Sequence, residues 1–152
     1  MLTEQLIQTL RERRMKITPQ RRFIFHALEQ NMDQHPTVDD IYNAVRRTLP
    51  DISLTTVYNT LRELVTMGLL RQVDLGEGMT RFDPTTTTHH HLLCIHCGRL
   101  EDLFRQFANL NLSPEESQGF VIINHQVIFE GLCPDCQLAE MEELGAEEAL
   151  NR

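Results

Sequence analysis

Two C-x2-C pairs, Cys94-Ile95-His96-Cys97 and Cys133-Pro134-Asp135-Cys136, lie 35 residues apart and hold every cysteine of the 152-residue chain. Each pair sets two sulfurs on one tight turn, and two such turns brought together form a tetrahedral S4 cage suited to Zn(II). Gly98, directly after Cys97, supplies the positive φ that lets backbone amides face sulfur in such a knuckle. Compact zinc ribbons separate their pairs by about 15–20 residues, so the cage here must close over a small intervening unit. Four thiolates leave no open position, which makes the predicted zinc structural. A competing chemistry is redox, because Cys133-Pro134-Asp135-Cys136 has the form of a thioredoxin-type active site. That motif belongs between a strand and a long helix near an N-terminus. Here it lies near the C-terminus with a matched second pair, and zinc is the better reading.

Charge divides the chain in the same way. Residues 1–82 carry 11 Arg and Lys against 10 Asp and Glu, whereas residues 83–152 carry 3 against 12, giving the net charge of −8. Six basic residues fall within 1–22, and all four Cys and five of the seven His lie after residue 82. The shift coincides with the polar run Pro84-Thr85-Thr86-Thr87-Thr88, which reads as a linker. No apolar run approaches the ~20 residues that span a bilayer, and the polar, amphipathic N-terminus has no signal-peptide core. A soluble, cytoplasmic protein without a membrane partner is therefore expected. The low pI of about 5.3 argues at first sight against a nucleic-acid partner, but it is a sum over two unlike halves.

The first half has the punctuation of short helices followed by a hairpin. Leu6, Ile7 and Leu10 are spaced for a helix over 3–14. Thr18-Pro19 supplies an N-cap and a first-position proline for a second helix reaching about Asn31, with Phe23, Ile24, Ala27 and Leu28 inward. Thr37-Val38-Asp39-Asp40 resembles a capping box opening a third helix, which Pro50 is expected to end. Ser53 caps a fourth over 54–67, with Val57, Leu61, Leu64 and Val65 on one face and Gly68 as its stop. Residues 69–73 and 79–82 flank Gly76-Glu77-Gly78 as a hairpin. This order describes a winged helix-turn-helix. The outer face of its last helix offers Thr55, Thr56, Tyr58, Asn59 and Arg62, groups that reach base edges and phosphates.

His89-His90-His91 precedes the first cysteine pair in what reads as a strand, so His89 and His91 share a face and His90 takes the other. Two imidazoles with a carboxylate from Asp83 or Asp102 make a mixed N/O site suited to Fe(II), Mn(II), Zn(II) or Co(II). His35, in the loop 31–36, has no evident core role, while His26 and His96 read as ordinary surface residues.

These residues together resemble the ferric-uptake-regulator (Fur) family. The likeness rests on Thr18-Pro19-Gln20-Arg21, His35-Pro36-Thr37 with Asp40-Ile41-Tyr42, Thr56-Val57-Tyr58, Arg81-Phe82-Asp83, His89-His90-His91-Leu92-Leu93-Cys94, Cys97-Gly98 and the final cysteine pair, in order from about residue 5 to 137. The resemblance implies an α+β protein with a winged-helix DNA-binding domain (1–83), a hinge (84–88) and a small α/β dimerisation domain (89–137). An acidic tail (138–152) would follow. It implies a homodimeric repressor binding double-stranded operator DNA through Arg21, Thr55, Thr56, Tyr58, Asn59 and Arg62. Structural Zn(II) would sit on Cys94, Cys97, Cys133 and Cys136, and regulatory Fe(II) or Mn(II) on His35, Asp83, His89, His91 and Asp102. A further site on His90 and His125 lacks its other family partners, since Thr88 and Asn109 stand at those positions. Residues 104–118 have weak helical periodicity, and a short helix is expected from Ser113-Pro114.

Asp102 and Asn59 match the peroxide-sensing PerR-like branch, in which metal-catalysed oxidation of His35 or His89 releases DNA; the chain is then not an enzyme. Glu101 beside Asp102 keeps an iron-responsive Fur regulator in view, with zinc, manganese or nickel sensing behind it. Outside the family stand a zinc-stabilised protein-interaction module and a zinc hydrolase or deaminase. The deaminase lacks the H-x-E that should precede P-C-x-x-C.

Overall fold

The computed structural model describes residues 1–76, 78–140 and 142. The chain forms two compact units, Met1–Thr86 and Thr87–Arg152, and the division falls inside the 84–88 linker. It is an α+β protein in which helices precede two small sheets.

The first unit holds α1 (Leu2–Glu12), α2 (Pro19–Asn31), a 3-10 turn (Met32–Gln34), α3 (Val38–Arg46) and α4 (Leu54–Thr66), then the hairpin β1 (Arg71–Asp74) and β2 (Thr80–Asp83). Side-chain caps set three helix starts. Thr18 accepts from Arg21 N–H at 3.3 Å, Thr37 from Asp40 N–H at 3.1 Å, and Ser53 from Thr56 N–H at 3.1 Å. Asp40 answers Thr37 by accepting its N–H at 2.8 Å, which completes the capping box. Gly68, at φ 71°, closes α4. Helix α3 stops at Arg46, a turn before Pro50, because Thr48 and Leu49 N–H both return to the Val45 carbonyl. Leu10, Ile24, Phe25, Leu28, Ile41, Val57, Leu61 and Phe82 are buried in one core that joins all four helices to β2. Phe23, expected inward, is 36% exposed, and Phe25 takes its place at 0%. The α2 stripe is thus rotated toward Ile24, Phe25, Ala27 and Leu28.

The second unit is a three-stranded sheet in the order β4-β3-β5. Its strands are β3 (His90–Cys94), β4 (Leu100–Leu103) and β5 (Ile128–Gly131). Strand β3 pairs antiparallel with β4, setting His91 opposite Asp102, and parallel with β5, setting Cys94 opposite Gly131. The short helix expected from Ser113 is a single capped turn. Ser113 and Glu116 exchange side chain-to-backbone bonds at 2.7 and 3.2 Å, and residues 114–119 then turn without propagating. Residues 134–140 are helical, and most of the acidic extension lies outside the described residues.

Replacing Thr37 by Ala removes the acceptor for Asp40 N–H. It should cost about 1 kcal/mol of the first unit's stability, read as a lowered urea midpoint at unchanged slope.

Candidate metal centres and nucleic-acid interface

The sulfurs of Cys94, Cys97, Cys133 and Cys136 all lie within 4.8 Å of one another. Cys94 ends β3 and Cys133 follows β5, so the parallel pairing of those strands brings the two turns together. In the first turn Gly98 N–H donates to the Cys94 carbonyl at 2.9 Å with Gly98 at φ 77°. Cys97 and Cys133 sulfurs stand 3.7 Å apart, close to the ~3.8 Å edge of a tetrahedron with Zn–S bonds of about 2.3 Å.

The acid–base balance of the cage also fits a dication. Backbone N–H groups of Cys97, then Cys133 and His96, face the Cys94 sulfur and lower its thiol to about 6. Cys133 N–H reaches it at 3.3 Å. Hydrogen bonding to Cys133, then burial, then the Cys97 and Cys94 sulfurs push Cys136 the other way, above its ordinary value. One sulfur is drawn toward thiolate while another is kept protonated by its neighbours. A bound Zn(II) eases that conflict by offsetting two of the four thiolate charges.

His89 and His91 point to the same side of β3, as alternation requires. Their Nε2 atoms are 3.1 Å apart and lie 3.1 and 3.4 Å from one Asp102 oxygen. The Thr87 carbonyl is 2.8 Å from His89 Nδ1, which orients the ring with Nε2 toward the cluster. Phe104 stacks on His89 at 5.2 Å, an aromatic wall that sequence reasoning missed although it follows Asp102 by two residues. Both imidazoles are buried. Glu101 faces the opposite side of the sheet, beside Leu92, and accepts from Arg99 Nε at 2.6 Å. The carboxylate at the histidine pair is therefore that of Asp102.

Within the first unit His35 and Asp83 form a second N/O pair, both buried, with ligand atoms within 4.8 Å. Asp83 is the last residue of β2 rather than a residue beyond it. Phe82 N–H donates to the Pro36 carbonyl at 2.9 Å, which holds the His35 loop along that strand. Both N/O sets have the borderline donors that Fe(II) and Mn(II) take.

His90 turns to the other face, where it packs on Phe107 and on His125, with ring centroids 4.9 and 5.8 Å away. Val127 N–H donates to its Nδ1 at 3.1 Å. Among the described residues no third ligand group joins His90 and His125.

On α4, Val57, Thr60, Leu61 and Leu64 face the core, and Thr55, Tyr58, Asn59 and Arg62 face outward. A groove of about 570 Å³ runs between the start of α2 and α4, lined by Gln20, Arg21, Thr56, Asn59, Arg62 and Glu63 among others. Thr56 is partly occupied as a cap partner, its hydroxyl 2.8 Å from that of Ser53. Arg21 pairs with Glu63 and donates to the Lys16 carbonyl at 2.9 Å. Glu63 was invisible as a site residue in the sequence because the i to i+4 pattern of α4 does not register a partner 42 positions away.

The profile of the ferric uptake regulator family matches residues 12–130. The peroxide operon regulator of Bacillus subtilis (strain 168) is 34% identical over 138 residues, covering 90% of this chain and 94% of that protein. The Campylobacter jejuni peroxide stress regulator superposes with a TM-score of 0.55 at 26% identity, over 84% of this chain and 96% of that one. The Helicobacter pylori ferric uptake regulator Fur reaches a TM-score of 0.65 at 19% identity, over 90% and 91%, a likeness of fold.

Replacing Cys136 by Ser should lower bound zinc from about one per chain to near zero. Because the cage ties the ends of β3 and β5, the sheet signal in circular dichroism should fall with it, and a strong chelator should do the same to the unaltered protein.

Proposed function

The chain belongs to the ferric uptake regulator family, and on that premise we propose that it is a metal-dependent repressor that senses peroxide. The convergence of His89 and His91 on Asp102, with Glu101 turned away, carries the reading. Within the family resemblance an Asp at this place marks the peroxide-sensing branch, and Asn59 on α4 leans the same way. The identity to the Bacillus subtilis peroxide operon regulator supports it further.

We assign the regulatory Fe(II) or Mn(II) to His35 and Asp83 from the first unit and to His89, His91 and Asp102 from the second. Ligands from both units make the closed arrangement the one that binds the ion better, so occupancy shifts the population toward it. Two carboxylates balance a dication, and the buried histidines exclude competing water. Fe(II), when bound by these residues, would activate hydrogen peroxide beside a ligand imidazole. The net change would draw two electrons from the ring itself: a carbon of His35 or His89 would take up one peroxide oxygen, and the other would leave as water. The oxidised ring is a poorer ligand, the closed population falls, and operator DNA is released. In the DNA-bound form Asn59 and Arg62 would read base edges, while Thr55, Tyr58 and Arg21 hold phosphates.

Family repressors act as dimers. In the second unit Phe120, Val121, Ile122 and Ile123 are 75, 87, 52 and 94% exposed, an apolar run of the kind that a second copy would cover. Replacing Ile123 by Glu should shift the protein toward monomer in sedimentation and weaken DNA binding in parallel, since each half-site contact depends on paired recognition helices.

The reading is tested by gel shift on a family operator with Mn(II), and by intact mass after Fe(II) and low peroxide. Duplex binding should require the metal, weaken steeply with salt and disappear in Asp102→Ala. Arg62→Ala should lower affinity by about 1–3 kcal/mol. Peroxide should add the mass of one oxygen atom to the peptide carrying His35 or His89 and abolish the shift. Unchanged mass with retained Fe(II)-dependent binding would assign the chain to iron sensing instead. A lack of metal-dependent duplex binding would sink the repressor reading.

A further inference from the structure

His35 occupies a backbone conformation that its own residue type disfavours. Helix α2 runs out through the turn Met32–Gln34 and ends on His35, which is left-handed at φ 48° and ψ 71°. A β-carbon crowds the backbone in that region, so single residues other than glycine stay there only when their surroundings hold them. Pro36 follows and turns His35 away from the right-handed alternative. The carbonyls of Gln34 and His35 lie at the helix end, where no further turn supplies donors and the partial charge is negative.

Strand β2 supplies the donors. Arg81 Nη1 donates to the His35 carbonyl at 3.2 Å and reaches the Gln34 carbonyl at 3.4 Å, while Phe82 N–H donates to the Pro36 carbonyl at 2.9 Å. Alternation along β2 sends Phe82 into the core and sets Arg81 and Asp83 on the other face. One strand thus carries a ligand carboxylate and, two residues before it, the cation that grips the loop of the other ligand.

We propose that Arg81 is a positioning residue for the regulatory metal. It holds the 34–36 loop in its left-handed turn, so that the His35 imidazole meets Asp83 before any ion arrives. Pre-organisation of this kind appears as metal affinity, because binding no longer has to order the loop. The strand that grips the loop is also the second strand of the hairpin that follows α4, so the ligand pair and that hairpin share one rigid element. The proposal rests on the reading that His35 and Asp83 hold the regulatory ion.

The test is Mn(II) binding to the zinc-loaded full chain without DNA, followed by the electron paramagnetic resonance signal of free Mn(II). The proteins compared are the unaltered chain, Arg81→Met, His35→Ala and the double variant. Methionine keeps an unbranched apolar stem and removes the guanidinium. Arg81→Met should weaken Mn(II) binding by about tenfold or more. The double variant should bind no more weakly than His35→Ala, because a clamp without its imidazole has nothing to position. In the zinc-only protein the amides of Gln34 and His35 should exchange hydrogen faster in Arg81→Met than in the unaltered chain. Unaltered Mn(II) affinity in Arg81→Met, or losses that simply add in the double variant, would overturn the clamp while a weakened His35→Ala leaves the regulatory site standing. An unweakened His35→Ala would overturn both. If Arg81→Met does not fold, Arg81→Lys takes its place under the same criteria, since an ammonium keeps the charge and loses the planar donor geometry.

Discussion

Strand β3 pairs with β4 on one side and β5 on the other, and the register of those two ladders fixes both ligand sets of the second unit. The antiparallel ladder sets His91 against Asp102, and the parallel ladder sets Cys94 against Gly131, two residues before Cys133. A slip of one residue on the β4 side would put Glu101 at the imidazoles and turn Asp102 to the opposite face of the sheet, because side chains alternate with period two. The identity of the carboxylate at the histidine pair is thus a consequence of strand pairing. The sulfur cage supports the same register from the far end, since four ligands at the mouths of β3 and β5 bring those strands together.

The first unit solves a different problem, which is to present a polar helix face from a well-packed core. Leu61 and Val57 are wholly buried while Asn59 and Arg62, on the next faces, are exposed. The unit is nearly neutral as a whole, and its positive charge is gathered at residues 11–22. Arg21, one of those residues, is paired with Glu63 across the groove. The pair ties α2 to α4 and sets the groove's width as much as its charge. A half-buried ion pair still reached by solvent contributes only modestly to stability, so its weight falls on geometry.

The net charge of −8 consequently says little about the DNA-facing surface, because it belongs mostly to the second unit. Acidic surface repels the duplex and weakens non-specific binding. Affinity then depends on presenting two recognition helices at the right separation, the property that the proposed regulatory metal would control. In the Fur family frame, acidity makes DNA binding conditional.

Much of this was legible in the chain itself, for local reasons. Thr18, Thr37 and Ser53 opened their helices where capping chemistry required, and Gly68 closed α4. The C-x2-C spacing specified tetrahedral sulfur, and alternation alone separated His90 from His89 and His91. Each of these depends on neighbours within four residues. The rest came from residues far apart in sequence. Helix periodicity put Phe23 inward, but packing chose Phe25. The run from Ser113 had a capping box, yet residues 114–119 go no further than turns. Asp102 over Glu101, Phe104 on His89, Glu63 on Arg21 and Arg81 on the His35 loop were decided by strand register and tertiary approach. The sequence by itself determined which chemistries were present and which short segments could carry them. Only the tertiary structure decided which side chains meet, because a ladder offset by one residue leaves local propensities unchanged and reverses every face.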